Sequence, residues 1–139
     1  MANLKQIFEP SNELEHALLQ AQEGRLAVSA LMKTLLASKV FVLIDKDLGP
    51  GGVWDNSVSP MVLSNASGGP VLAVFTAPER STEWPKNHPQ HKFGLFTDFR
   101  WLLKGIASGV GVVINPGSPV GLEMPAAGVQ QLKTEANAI

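Results

Sequence analysis

Ser118 sits in Asn115-Pro116-Gly117-Ser118-Pro119, a turn framed by two prolines, and a hydroxyl held in a tight turn is the first candidate for nucleophilic chemistry. An elbow-type serine nucleophile uses the backbone N–H of the next residue to stabilise its oxyanion, and here that residue is Pro119, which has no N–H. Pro116 and Val120 also occupy the two positions where Gly-x-Ser-x-Gly requires glycine. Ser118 therefore reads as a turn residue bonding its own backbone, with no catalytic role. His88 and His91 have the i, i+3 separation that lets two imidazoles on a helix share a metal. Pro89 between them and Pro85 before them argue against that helix, and only Glu79 and Glu83 stand near enough in sequence to offer a third ligand. Solvated loop histidines, and no metal, are the expectation. His16, flanked by Glu15 and Ala17, has no partner base and reads as a surface residue.

No phosphate cradle is present in the sequence. Gly49-Pro50-Gly51-Gly52 lacks the Lys-Ser/Thr of a P-loop, and Gly105, Gly109 and Gly111 precede an apolar strand, the reverse of a dinucleotide fingerprint. These are turn and helix-end glycines, and no cofactor is expected. Lys92-Phe93-Gly94-Leu95-Phe96 has part of an aromatic RNA-binding strand, with Arg80, Lys86, Lys92, Arg100 and Lys104 adding local positive charge. Glu79, Glu83 and Asp98 dilute that charge and the pattern is incomplete, so no nucleic-acid partner is expected. Trp54 and Trp84 remain, both in stretches with no apolar periodicity. Tryptophan offers large apolar area with an N–H handle, which suits either an interface anchor or a lid folded back over the sheet. A groove beside Asn115 to Pro119 is expected wherever such a lid opens.

The whole-chain balance agrees with a protein surface as the working part. The chain has 139 residues, 11 Lys and Arg against 12 Asp and Glu, a net charge of −1 and no Cys. Charge of this size and mixture does not drive nucleic-acid or membrane-surface binding. The lack of Cys excludes disulfides, thiolate zinc sites and cysteine nucleophiles, and it fits a reducing compartment. No stretch approaches the length of a membrane span, and the first ten residues lack an apolar signal core, so a cytoplasmic protein is expected. The length suits one domain, residues 1–139 with a core over about 12–132, able to bury a core unaided.

The elements that must position these residues follow from periodicity. Asn12 with Glu15 makes a capping-box-like start for a helix over 13–22, carrying Leu14, Ala17, Leu18 and Ala21 at helical spacing. Gly24 ends it, and Val28, Leu31, Met32, Leu35 and Leu36 predict a second helix over 25–38. Val40 to Ile44 is apolar on both faces, as a covered central strand requires. Asp45 to Pro60 reads as a long irregular connection. Met61–Ser64 and Val71–Thr76 flank a Gly-rich loop and predict a hairpin. Residues 77–92 show no periodicity and read as a surface excursion, followed by a short strand or turn at 92–96. Thr97 or Asp98 then caps a helix bearing Phe99, Leu102, Leu103 and Ile106. Val110–Ile114 completes a right-handed parallel crossover from Val71–Thr76. Leu122–Met124 makes a short edge strand, Pro125 opens a last helix with Val129 and Leu132, and the tail after Lys133 frays. The sum is an α/β domain, with α+β as the alternative. It has three layers, with a mixed sheet of about five strands and helices on both faces. Edge strands at Met61 and Leu122 are expected to allow a homodimer.

The stretch Asn115-Pro116-Gly117-Ser118-Pro119-x-Gly121-Leu122-Glu123 resembles the C-terminal signature of the SseB family N-terminal domain, a family named for enhanced serine sensitivity. Phe75-Thr76-Ala77-Pro78-Glu79-Arg80 is similar to a second family motif, in which a strand ends and the chain runs out over the surface. The start, Asn12-Glu13-Leu14-Glu15 through Leu35-Leu36, fits the same domain. The resemblance implies a non-enzymatic interaction or regulatory module with an unidentified protein partner. Its expected recognition surface is Asn115, Pro116, Gly117, Ser118, Pro119 and Gly121, with Trp54 and Trp84. Two alternatives stand beside it: a small-molecule site for serine or a related amino acid, suggested by the family name, and a secretion-associated protein.

Overall fold

The computed structural model describes residues 10, 12–46, 58–65, 67–118 and 120–137. Helix α1, Glu13–Gln22, starts where the sequence places it, because the Asn12 side chain accepts the N–H of Glu15 at 2.8 Å. The turn at Gly24, φ +78°, is closed by Arg25 N–H donating to Gln20 O at 2.8 Å. That bond holds Arg25 outside the next helix, so α2 spans Val28–Leu36 and is shorter than the expected 25–38. At its other end Ser38 Oγ donates to Thr34 O at 2.6 Å and the chain enters β1, Lys39–Ile44.

The remaining elements are β2 (Val62–Ser64), β3 (Pro70–Val74), α3 (Trp84–Asn87), β4 (Phe93–Asp98), α4 (Phe99–Lys104), β5 (Gly111–Ile114), β6 (Leu122–Met124) and α5 (Ala126–Asn137). β1 pairs antiparallel with β4, and a second ladder runs β2-β3-β5-β6. Reciprocal bonds of 2.8 Å between Phe41 and Phe75, and a bridge from Ile44 to Pro60, join the two. The result is the expected α/β domain with a mixed sheet, in six strands among the described residues. β3 and β5 are parallel, Val71 opposite Gly111 and Val74 opposite Ile114. Their connection carries a strand as well as a helix, because β4 returns to the far side of β1 before α4 begins.

Strand alternation sorts the apolar side chains onto two faces. Val40, Val42, Ile44, Leu72, Val74, Val112 and Ile114 meet α1, α2, α4 and α5 in the main core. Leu43, Ala73 and Phe75 point the other way with Met61, into a small cluster closed by Trp84 of α3. Helices thus lie on both faces, but the layers are unequal: the longer helices share one side, and one short turn covers the other.

Three further expectations change. Met61 is no edge residue: it donates to Leu43 O and accepts from Ala73 N–H, so it is wedged between β1 and β3 and only 1% exposed. Residues 77–92 are not irregular throughout. They form 3₁₀ turns at Pro78–Ser81 and Pro89–His91 on either side of α3, each started by a proline whose missing N–H costs nothing in a first turn. The chain after Lys133 does not fray at once. α5 runs to Asn137, because Ala136 continues the buried stripe of Val129 and Leu132. The connection expected over Asp45 to Pro60 lies mostly outside the described residues; its ends meet where Asp45 N–H donates to Ser59 O at 3.1 Å.

Gly111 marks how closely β5 and β6 approach, since a Cβ there would stand 2.5 Å from Met124 O and 3.1 Å from Val71 Cγ1. A backbone oxygen cannot swing aside as a side chain does. Gly111→Ala should therefore destabilise the fold by about 1–3 kcal/mol. Urea unfolding checks this, and a midpoint unchanged from the parent protein contradicts so tight a β5–β6 approach.

Candidate functional site

The parallel strands β3 and β5 end side by side, and the chain leaves each by a sharp corner. In open α/β sheets, ligands gather outside such carboxyl ends. After Ile114 the chain enters the left-handed region at Asn115, φ +52°, a conformation that asparagine tolerates better than most side-chain-bearing residues. Asn115 N–H donates to Val74 O at 2.8 Å, and its carbonyl accepts Ser118 N–H at 3.0 Å, closing the turn. Gly117 follows at φ +80°, where a Cβ would be strained. Val120 N–H donates to Ser118 Oγ at 3.2 Å, so this serine bonds its own backbone as expected. Gly121 passes against the strand end: a Cβ on it would lie 2.5 Å from Ile114 O. Its N–H donates to Gln22 Oε1 at 2.7 Å, fastening the loop to the end of α1.

Beneath the corner lies a polar network inside the core. Glu15 is 0% exposed, and Thr76 and Asn115 are buried with it. Arg80 grips the Glu15 carboxylate with both oxygens engaged, Nε to Oε2 at 2.8 Å and Nη2 to Oε1 at 2.9 Å. Thr76 Oγ1 adds a third donor to Oε2 at 2.5 Å. Asn115 Nδ2 donates to Thr76 Oγ1 at 2.9 Å and to Val120 O at 3.2 Å, while its Oδ1 accepts Thr76 N–H at 3.0 Å. Asn12 Nδ2 closes the set on Thr76 O at 2.9 Å. A buried carboxylate is tolerable only when paired and hydrogen-bonded in this way. The hydrogen bond to Glu15 raises the Arg80 pKa above its usual value, against the opposing pull of burial. A raised pKa on a cation adds stability that is present below the usual arginine value and lost only at higher pH. Arg80 thus stays charged at every working pH.

Arg80 also faces outward, its side chain 22% exposed. With Glu83, Trp84, Pro116, Gly117 and Ser118 it lines a cleft of about 320 Å³. The Trp84 indole lies over Gly117, one ring carbon 3.6 Å from where a Cβ would stand. It is packed from behind by Phe75, ring centres 6.5 Å apart, and flanked by His88 at 5.5 Å. Glu83 is exposed at the rim, 2.9 Å from Lys86 Nζ. The cleft thus offers an aromatic face, a proline, a carboxylate and a guanidinium edge, all on anchored backbone.

Of the residues the sequence singles out, the structure brings Trp84, Pro116, Gly117 and Ser118 together at this cleft. Asn115 sits underneath and positions them, and Gly121 supports the loop from the side. Trp54 and Pro119 lie outside the described residues. Glu15, Thr76 and Arg80 escape sequence reasoning, although Thr76 and Arg80 fall within the second family-like motif. Glu15 reads from sequence as the reciprocal half of a capping box; the structure commits its carboxylate to Arg80 and Thr76, a partnership 61 to 65 residues away in the chain. His16 is exposed, and His88 and His91 belong to separate turns broken at His88, φ −133°. Among the described residues no three His, Asp or Glu side chains gather as metal ligands. No helix among them is long and apolar enough to cross a membrane.

Fold and site together define an α/β domain in which a buried ion pair clamps the ends of two parallel strands beneath a tryptophan-lined cleft. The chain belongs to the family of the SseB protein N-terminal domain, whose model matches residues 14–131. Comparison with curated proteins and with solved structures gives no match.

Removing Arg80 would strand a charged carboxylate in the core. Arg80→Ala should cost about 3–5 kcal/mol, the usual penalty for breaking a buried pair from one side. The double change Glu15→Gln with Arg80→Met should cost less than Arg80→Ala alone, because no charge is left behind. Chemical denaturation of the two variants decides the matter: equal losses would mean that the carboxylate is not held as a buried charge.

Proposed function

We propose that this SseB-type domain is a non-catalytic interaction module in the cytoplasm, and that it receives an exposed segment of a partner protein in the cleft formed by Trp84, Arg80, Glu83 and the Pro116 to Ser118 turn. The observation that carries the reading is the separation of roles at the corner. The polar side chains with the best geometry, Glu15, Thr76 and Asn115, are spent on one another inside the core. What faces out is an aromatic and proline surface on stiff backbone. Preorganised surfaces of that kind lose little entropy on binding, and a tryptophan backed by a second aromatic ring is a typical anchor. The Ser118 hydroxyl is engaged with Val120 N–H, which favours a turn role over a nucleophilic one.

The test is affinity capture from the cells that make the protein, comparing the parent chain with Trp84→Ala and Glu83→Lys. Truncation of a buried anchor typically costs about 2 kcal/mol or more, roughly thirtyfold, so Trp84→Ala should release a specific partner. Glu83→Lys, fully at the surface, should weaken capture without lowering the melting temperature. Capture unchanged in both variants contradicts the reading. Calorimetric titration of serine and related amino acids tests the small-molecule alternative: saturable heat, lost in Ser118→Ala, would favour it over protein docking.

A further inference from the structure

A second site lies on the helical face of the sheet, away from the Trp84 cleft. Helix α4 turns Phe99, Leu102 and Leu103 into the core and leaves Arg100, Trp101 and Lys104 outside. On one flank of α4 a hollow of about 440 Å³ is walled by Val62, Leu72, Ile106 and Val110, with Trp101, 47% exposed, at its mouth and Lys104 at its rim. On the other flank Arg100, Lys104 and Lys133 line a smaller hollow of about 260 Å³ against α5, with no carboxylate among the described residues lining it. Lys104 borders both.

The two flanks are coupled chemically. Lys133 Nζ donates to the carbonyl of Ile106, so the cation is tethered to a residue that walls the apolar hollow. Arg100 Nε is buried with no hydrogen-bond partner. Arg100 and Lys104 are four apart on one helix, an arrangement of like charges that destabilises a helix by itself. Asp98 lines a third hollow beside Arg100 and Lys104, while the hollow against α5 gathers three cations with no carboxylate among the described residues in its lining. A largely apolar hollow of this size with a few convergent polar groups is the usual form of a small-molecule site.

We propose that this surface is a binding site for a small amphiphilic carboxylate, whose apolar body fills the hollow behind Trp101 and whose acid group meets Lys104, the cation that borders both hollows, with Arg100 one helical turn away adding to the positive field. The apolar wall selects the body. The positive charge of Arg100, Lys104 and Lys133 selects an anionic head, which a neutral ligand of the same shape lacks.

Octanoate, octan-1-ol and inorganic phosphate are titrated separately into the full chain, with binding read by calorimetry and by the movement of backbone amide resonances. Octanoate should bind with shifts confined to α4, β2 and the start of β5, and more tightly than either other probe. The double variant Arg100→Gln with Lys104→Gln should weaken octanoate about tenfold or more while leaving the weak binding of octanol unchanged. Val62→Asp, at an exposed position that leaves the core intact, should weaken both. The proposal is overturned if octanoate does not bind, if octanol or phosphate binds as tightly, or if the shifts map to Trp84 and the Pro116 to Ser118 turn. Failure of octanoate to bind, or equal binding of octanol or phosphate, leaves protein docking at the Trp84 cleft untouched, so the two readings fail separately.

Discussion

The carboxylate of Glu15 is the point on which the architecture converges. It is fully buried at the first turn of α1, and three donors reach it from the segment that leaves β3. One of those donors, Thr76, is in turn held by Asn115 at the end of β5. A single charge that must not be left unpaired therefore ties the first helix to the ends of both parallel strands. Displacing any one of the three elements would expose or orphan the others. The positive φ at Asn115 is stable in this setting because its side-chain amide makes bonds in two directions inside the core.

That clamp explains why a proline-framed turn can serve as a surface. The turn is closed by its own bonds, Ser118 N–H to Asn115 O and Val120 N–H to Ser118 Oγ, and it is held from below by Asn115 and from the side by Gln22. Arg80 belongs to both layers, with its inner edge on Glu15 and its flank in the cleft. The thin second face of the sheet follows the same logic. Trp84 covers the small cluster of Phe75, Ala73, Leu43 and Met61, and the ring that seals that cluster also floors the cleft. Core closure and surface chemistry are assigned to one side chain, which suits a protein that presents a fixed shape.

Charge is distributed in opposite ways at the Trp84 cleft and around α4. At the Trp84 cleft each cation has a carboxylate, Arg80 with Glu15 and Lys86 with Glu83. Around α4 the cations outnumber the acids, although the chain as a whole is nearly neutral at −1. Net charge alone conceals that asymmetry, because only the fold brings Lys133 of α5 beside Arg100 and Lys104 of α4.

Local order was legible in the residues themselves. The Asn12 cap, the apolar stripe of α1 and the two-faced run from Val40 to Ile44 follow from periodicity and turn chemistry acting over a few residues, and the parallel pairing of β3 with β5 follows from the rule for strand–helix–strand crossovers. The stiff corner from Asn115 to Ser118 was legible for the same reason, since proline and glycine restrict the backbone wherever they stand. What tertiary structure decided were the long-range partnerships. Glu15 satisfies its local motif on paper, and only the fold shows that an arginine 65 residues onward claims its carboxylate. Met61 carries the pattern of an edge and is placed inside by two strands that meet around it. Side-chain type and spacing set the menu of local conformations, but which buried polar group meets which, and which face is left open, depends on distances that exist only after the chain has closed on itself.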